Sequence, residues 1–428
     1  MTAGWTPISL PYGRARMEIS VPAGNLLAVA SPLSVATPRD VAAQVRQALR
    51  GPLGTTPWAS GLRGGEHLLL LVDDNTRPTP VDQILPTLLE ELEVERKRVH
   101  VTILIALGTH RKMTPAEICT KVGLEVANTY TVLNHDWDDE AALVDLGTTA
   151  NGTPIRVNRL SQKADLCLGI GSILPHNLAG WSGGGKIVQP GICGKETTYA
   201  THLLAARCPT SNLGKPRNPV RSEIDEVARR AGLSGVVNTV LDRDATVAHV
   251  VAGEPRAAYQ QGVELARGIW EVPVPALADI VIVSSYPADI DFWQANKALY
   301  AAERVVKRGG DIILVTPCPE GLSSQREHVV SLKALEGVPS RDLFHGARRR
   351  GLGDYAALCV SDVAARCREL AWTTVVSDHL TADDVAVLGL RRAATVDEAL
   401  ARAFERQGAQ ARIIVLTHGG EMVPVLAS

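Results

Sequence analysis

Carboxylates, imidazoles and a guanidinium, groups that exchange protons and hold anions, follow three apolar runs in the first half of this chain. Residues 67–72 (HLLLLV) run into Asp73-Asp74-Asn75-Thr76-Arg77-Pro78. Residues 99–107 (VHVTILIAL) run into Gly108-Thr109-His110-Arg111, and 164–170 (ADLCLGI) into Gly171-Ser172-Ile173-Leu174-Pro175-His176. A single histidine after a strand is most often a cap or a packing residue. An acid–arginine pair and two histidines at three strand ends form a different pattern. A parallel sheet gathers its carboxyl ends on one edge, which is where open α/β sheets bind ligands.

Downstream, Gly180-Trp181-Ser182-Gly183-Gly184-Gly185-Lys186-Ile187 fits the opening of a Walker A loop, GxxxxGK, in which backbone N–H groups cradle phosphate. That loop needs Ser or Thr next to hold Mg²⁺, and here the residue is Ile187. Pro190 also makes the following residues a poor helix start. A P-loop-like NTPase or nucleotide-binding transferase is therefore disfavoured. The glycines are expected to let a bulky anionic ligand approach the backbone closely, with Lys186 at its edge. Asp73-Asp74-Asn75-Thr76 fails the DxDx[TV] phosphatase pattern because its carboxylates are adjacent. His202, on a helix predicted over 197–206, becomes a candidate metal ligand near a cofactor held at Lys186, since neutral imidazole is a common transition-metal donor.

These residues need a scaffold, and the chain reads as an α/β one. Short Val-, Ile- and Leu-rich runs alternate with longer amphipathic stretches, the pattern of βαβ units and parallel sheets. Helices are predicted over 81–97 and 115–122. A Pro-studded stretch, 270–276 (WEVPVPA), interrupts the alternation. It restarts with strands over 279–284 and 311–316 and a helix over 292–306 between them. Further strands are expected at 373–376, 386–388 and 412–416, with a helix over 396–406. The expected architecture is two α/β lobes with mainly parallel sheets and the active site in the cleft between them. One lobe is residues 1–268, completed by 410–428; the other is residues 277–409.

The 428 residues carry 44 Lys+Arg against 46 Asp+Glu, a formal net charge of -2, which argues against a dedicated nucleic-acid binder. Aromatic residues make up only 4%, so aliphatic side chains must fill the core. The seven cysteines are scattered without a CxxC pair, which suits free thiols in a reducing compartment. Residues 1–22 show no apolar signal-peptide core, and no apolar run approaches the ~20 residues that span a bilayer. A cytoplasmic protein without membrane attachment is expected.

Taken together, Asp74-Asn75-Thr76-Arg77-Pro78-Thr79-Pro80, Gly108-Thr109-His110-Arg111, His176, the run from Gly180 to Lys186, and His202 resemble the lactate racemase family, whose members use a nickel-pincer nucleotide. Trp293-Gln294-Ala295-Asn296-Lys297 is similar to the family's substrate-facing segment, and the likeness covers almost the whole chain. The resemblance implies an isomerase, a racemase or epimerase acting on a small-molecule 2-hydroxy acid. It makes 1–268 the cofactor-binding and catalytic lobe and 277–409 the substrate-contacting one. Lys186 would attach covalently, through a thioamide, to a pyridinium mononucleotide with two sulfur-bearing arms. Ni(II) would be held by a ring carbon, the two sulfurs and His202, a soft donor set suited to square-planar geometry. Asp74, Asn75, Thr76 and Arg77 would contact the cofactor, which cofactor-synthesis proteins would supply.

In the same resemblance His110 and His176 would be the two acid/base groups. The hydroxyls of two enantiomers point in different directions over one cofactor, and imidazole exchanges protons near neutral pH. The α-hydrogen would move as hydride to the cofactor, leaving a 2-keto acid that reorients before hydride returns. Arg77, Gln294 and Lys297 would hold the carboxylate and keto oxygen, with Trp293 beside them. The presence of both histidines favours catalysis over a non-catalytic carrier of the cofactor. One position departs from the pattern: the family's lactate-specific representative carries a tyrosine where this chain has Trp293. An indole N–H donates but cannot accept, and the ring is larger, so the expected substrate is a 2-hydroxy acid other than lactate.

Overall fold

The computed structural model describes residues 4–35, 40–208, 210–350, 352 and 355–427, with Arg348 by its backbone alone. They form two compact units, each drawn from separated stretches of chain. The first unit is Leu33–Leu204 with Lys215–Ile269; the second is Met1–Pro32, Ala205–Gly214 and Trp270–Ser428.

The first unit is built on a six-stranded sheet in the order Val247–Gly253, Gly235–Leu241, Leu166–Ile173, His67–Asp73, His100–Ala106, Thr131–Asn134. All its pairs are parallel except the one made by Val247–Gly253. Leu68, Leu69, Leu70, Leu71 and Val72 are each 0% exposed, as a central parallel strand covered on both faces must be. Helix Val81–Glu91 closes one face, its Val81, Ile84, Leu85 and Leu88 entering the same core as Leu68, Leu70, Ile103 and Ile105. Each such side chain contributes about 1.5–3 kcal/mol on burial, so the strands are held firmly under the loops that follow them. The helix predicted over 81–97 stops early because Glu93 and Arg98 adopt left-handed φ values of 56° and 55°, bracketing the single turn Val94–Lys97. Helix Pro115–Val122 forms where predicted. Thr114 accepts from the Glu117 N–H, and the Glu117 carboxylate accepts from the Thr114 N–H at 2.8 Å.

Register then aligns the strand ends. Asp73 lies opposite Ala106, Val72 opposite Ile170 and Ser172 opposite Thr239. Asp74, the turn carrying His110 and the segment carrying His176 therefore leave the sheet on one edge.

The second unit has its own six-stranded parallel sheet, in the order Arg391–Ala393, Trp372–Val376, Val306–Val315, Ala278–Ser284, Ile413–Leu416, Leu26–Ala30. The two units divide the chain differently from the lobes expected from sequence. Residues 1–32 and 410–428 do not complete the first unit: Ile413–Leu416 is inserted between Ala278–Ser284 and Leu26–Ala30, and Val423–Leu426 pairs with Glu271–Val274. Chain termini that each supply a strand to one sheet cannot be assigned by proximity in sequence.

Two local expectations also fail. Residues 386–388, read as a strand, end helix Ala382–Val387, which Thr381 and Asp384 cap reciprocally; the strand is Arg391–Ala393. The helix predicted over 292–306 breaks at Asn296 into Phe292–Ala295 and Lys297–Ala302, and Val306 already belongs to the next strand. Among the described residues no helix is long and apolar enough to cross a membrane.

Candidate active site

Asp74 is the pivot of the first unit's carboxyl edge. It is 2% exposed, and its carboxylate accepts from His110 Nδ1 at 2.6 Å, the Thr76 N–H at 3.0 Å and the Thr76 hydroxyl at 2.6 Å. Burial alone would raise its pKa. The His110 hydrogen bond and charge, the Arg77 charge and Thr76 outweigh it, holding the carboxyl well below the usual carboxylate range. An ionised acceptor facing Nδ1 puts the proton of neutral His110 there and leaves Nε2 as the basic nitrogen. A buried carboxylate behind an imidazole is the arrangement that orients a general base.

Asp73 has a different role. It pairs with Lys121 Nζ at 2.7 Å, and Lys121 also donates to the carbonyls of Arg77 and Thr79 at 3.0 and 3.1 Å. Two carbonyl hydrogen bonds and the ion pair with Asp73 hold this lysine, 8% exposed, and tie the turn after the strand to helix Pro115–Val122. Asp73 also accepts from the Thr79 hydroxyl, which meets Ser172 Oγ at 2.7 Å, itself 2.7 Å from Thr239 Oγ1. Burial pushes the Asp73 carboxyl up, and Lys121 pulls it back. At the rim, exposed Asn75 donates to Glu117 at 3.1 Å, and Glu117 also receives Arg111 through two nitrogens at 2.6 and 2.9 Å. Arg77 is half-buried.

His176 lies in the short antiparallel ladder of Pro175–His176 with Gly180–Trp181, and its Nδ1 accepts from the N–H groups of Leu178 and Ala179, each at 3.2 Å. The glycine-rich run that follows is not a loose surface loop, and against the expectation of a ligand close to the backbone, the space beside its glycines is filled by protein. A β-carbon on Gly180 would stand 1.9 Å from the Lys215 carbonyl oxygen, and one on Gly183, where φ is 81°, would stand 2.5 Å from Ile173. These glycines face protein. Buried Arg221 donates to the carbonyls of Trp181 and Gly183 while lying 4.0 Å over the Tyr259 ring, and Asn238 accepts from the Gly184 N–H at 2.9 Å. The chain then makes one 3-10 turn, Gly184–Ile187, instead of a helix. Ile187 packs onto the strand at Gly169, so a core side chain fills the place of a Mg²⁺-binding hydroxyl. Lys186 is half-buried between buried Gly185 and Ile187.

His202 sits on helix Lys195–Ala206, and its Nδ1 meets the Thr198 carbonyl at 2.9 Å. A carbonyl can only accept, so the proton is on Nδ1 and the lone pair on Nε2, the usual outer hydrogen bond of a metal-bound histidine. Among the described residues no three His, Cys, Asp or Glu side chains converge into a metal cage. His202 therefore fits a metal that brings its other donors with it.

In the second unit, Asp291 caps helix Phe292–Ala295 by accepting from the Gln294 N–H at 2.9 Å, and burial pushes its carboxyl up to about 6. Lys297 Nζ donates to Gln294 Oε1 at 2.7 Å. The Trp293 ring is stacked on His328, with centroids 3.6 Å apart and planes within 5°, and Ser323 Oγ meets His328 Nδ1 at 3.0 Å.

The lactate racemase N-terminal domain model matches residues 12–214 and the lactate racemase C-terminal domain model matches 274–423. The chain belongs to the lactate racemase family. A lactate racemase of Lactiplantibacillus plantarum is 30% identical over 381 residues, covering 88% of this chain and 89% of that one. One from Thermoanaerobacterium thermosaccharolyticum is 32% identical over 323 residues, 73% of this chain and 75% of the relative. The solved lactate racemase apoprotein from Thermoanaerobacterium thermosaccharolyticum superposes with a TM-score of 0.89 at 27% identity, over 98% of this chain and 100% of that one.

This member of the family is a racemase, and the NTPase reading is not favoured. Its first unit brings Asp74, His110 and Arg77 together; Lys186, His176 and His202 follow on the same unit, and Trp293, Gln294 and Lys297 cluster on the second. Sequence reasoning missed Lys121, Arg221, Asn238 and His328. Lys121 left a trace, a lysine between Ile118 and Val122 on the apolar face of a short helix. The other three act through tertiary contacts that no local spacing announces.

Proposed function

We propose that this racemase interconverts the enantiomers of a 2-hydroxy acid other than lactate, with a nickel-pincer nucleotide attached at Lys186 and His202 as the protein ligand of Ni(II). The observation that carries it is the Asp74–His110 pair at 2.6 Å, a base with its orienting carboxylate on the same carboxyl edge from which His176 emerges. Bound there, the cofactor supplies reversible acceptance of hydride from the α-carbon. The protein's part is to move the hydroxyl proton and to hold the acid. His110 Nε2 takes the proton, and Asp74 stabilises the resulting imidazolium. His176 serves the hydroxyl of the opposite enantiomer.

Asp74, Asn75, Thr76 and Arg77 contact the cofactor in this reading, and Arg77, Gln294 and Lys297 bind the substrate carboxylate and keto oxygen. The half-buried Lys186 and the Nδ1-anchored His202 both suit that group. None of the seven cysteines is in a disulfide, which agrees with work in the reducing cytoplasm, where cofactor-synthesis proteins would load the enzyme.

Intact mass and nickel content, measured after exposure to a cofactor-producing extract, test the proposal. The expected result is a covalent mass increase with about one nickel per chain, as one site requires, both lost in Lys186→Ala. A chiral screen of 2-hydroxy acids then follows. No adduct, in an extract that activates a known lactate racemase, would overturn it.

A further inference from the structure

We infer that His110 and His176 are held in opposite tautomers, Asp74 keeping the proton of His110 on Nδ1 and two backbone amides keeping that of His176 on Nε2. The catalytic meaning of this difference rests on the proposed function; the tautomers themselves do not. A ring nitrogen that accepts from an N–H carries a lone pair and no proton. The Leu178 and Ala179 amides both point at Nδ1 of His176, from 3.2 Å. They are fixed in place, because the turn is closed by the ladder Pro175–His176 with Gly180–Trp181 and Asn218 Nδ2 donates to the Ala179 carbonyl at 3.0 Å. The proton of neutral His176 is therefore on Nε2, and adding a second would set an N–H against two others. At His110 the partner is a buried carboxylate, which requires Nδ1–H and welcomes the imidazolium.

The two histidines thus begin in different roles. His110 is the resting base, and His176 is a resting donor whose Nε2–H suits a keto, carboxylate or hydroxyl oxygen. His176 can take up a proton only if its ring leaves the two amides. Asp74, which the family resemblance places against the cofactor, is by this geometry a positioning residue for the base.

Long-range proton–nitrogen correlation NMR of the full chain with ¹⁵N-labelled histidine, without the cofactor, reads both rings directly. Signals are assigned by their loss in His110→Gln and His176→Gln. The expected pattern is a protonated Nδ1 and bare Nε2 in His110, and the reverse in His176. Asp74→Asn keeps an acceptor for Thr76 and should abolish the dominance of the Nδ1–H form at His110 while leaving the His176 signals in place. The loaded Asp74→Asn enzyme should lose activity by the ~10²–10⁴-fold of a misoriented general base, with the Lys186 adduct intact. The same tautomer in both rings, or an unchanged His110 in Asp74→Asn, overturns the inference. A wild-type enzyme that racemises no 2-hydroxy acid while showing opposite tautomers would sink the proposed function alone.

Discussion

The carboxyl edge of the first unit and the 291–328 region of the second handle polar groups in contrasting ways. Beside the half-buried Asp73, Arg77 and His110, the supporting Asp74 and Lys121 are buried and met by partners at 3.1 Å or less: Lys121 by Asp73 and two carbonyls, Asp74 by His110 and Thr76. Around Trp293 the chemistry-bearing side chains are half-buried, and they lean on each other, Lys297 on Gln294 and Trp293 on His328. A proton-transferring group must be held to a fraction of an ångström, so its supports are locked by burial. A surface that sorts substrates needs only a shape, and shape changes cheaply with one aromatic ring. Under the proposed function, this contrast lets acid/base machinery and substrate preference vary separately.

Breaking the locked side has the largest expected effect. Lys121→Met preserves volume but leaves Asp73 buried without its counter-charge and strands the carbonyls of Arg77 and Thr79. Removing one partner of a buried ion pair costs about 3–5 kcal/mol. Chemical denaturation at pH 7.5 should show that loss, and the gap to wild type should narrow as pH falls and Asp73 takes up a proton. A variant within 1 kcal/mol of wild type, on the order of a surface change, would mean the turn is not held by this charge.

A second prediction concerns Asp291, the buried acid of the sorting side. Its folded pKa, about 6, lies above the unfolded value of about 3.9. The folded state therefore binds this proton more tightly. The group's contribution to stability is fully present below pH 4 and is lost as pH rises through 6, by about 2–3 kcal/mol at 1.36 kcal/mol per unit. Asp291→Asn retains a capping oxygen for the Gln294 N–H and removes the titration. Stability measured from pH 4 to 8 should fall less steeply in this variant than in wild type. Parallel curves would show that the buried carboxyl is not the source of the slope.

The same contrast explains what was legible beforehand. Strands such as His67–Asp73 were readable because a doubly covered parallel strand is a continuous apolar run, and Asp74, His110 and His176 stood out because they end such runs. The helix predicted over 81–97 ends at Glu91, and the sequence gives no stop signal because the left-handed positions beyond it, Glu93 and Arg98, are not glycines. The glycine-rich run misleads for the opposite reason. Its composition signals close approach, but only packing shows that what approaches Gly180 and Gly183 is the protein itself. The unit to which the termini belong is not legible in sequence, because strand order in a parallel sheet is set by crossovers that sequence does not number. Which nitrogen of each histidine carries the proton was out of reach, since it depends on partners such as Asp74, 36 positions from His110.

The smallest expected effect tests the sorting side alone. Trp293→Tyr removes the larger ring that stacks on His328 and introduces a hydroxyl able both to donate and to accept. Differences of this size in a pocket wall change discrimination by about 1–3 kcal/mol, or roughly 10–200-fold in relative kcat/KM. The ratio of turnover on lactate to turnover on the best other 2-hydroxy acid should rise by a factor within that range. Because His110 and Asp74 sit on the other unit's locked edge, the covalent adduct at Lys186 and the tautomer of His110 should stay as in wild type. An unchanged substrate ratio would remove Trp293 from the specificity argument. A changed His110 tautomer would instead break the separation between the two regions, since a shape change on the sorting side would then have reached the base.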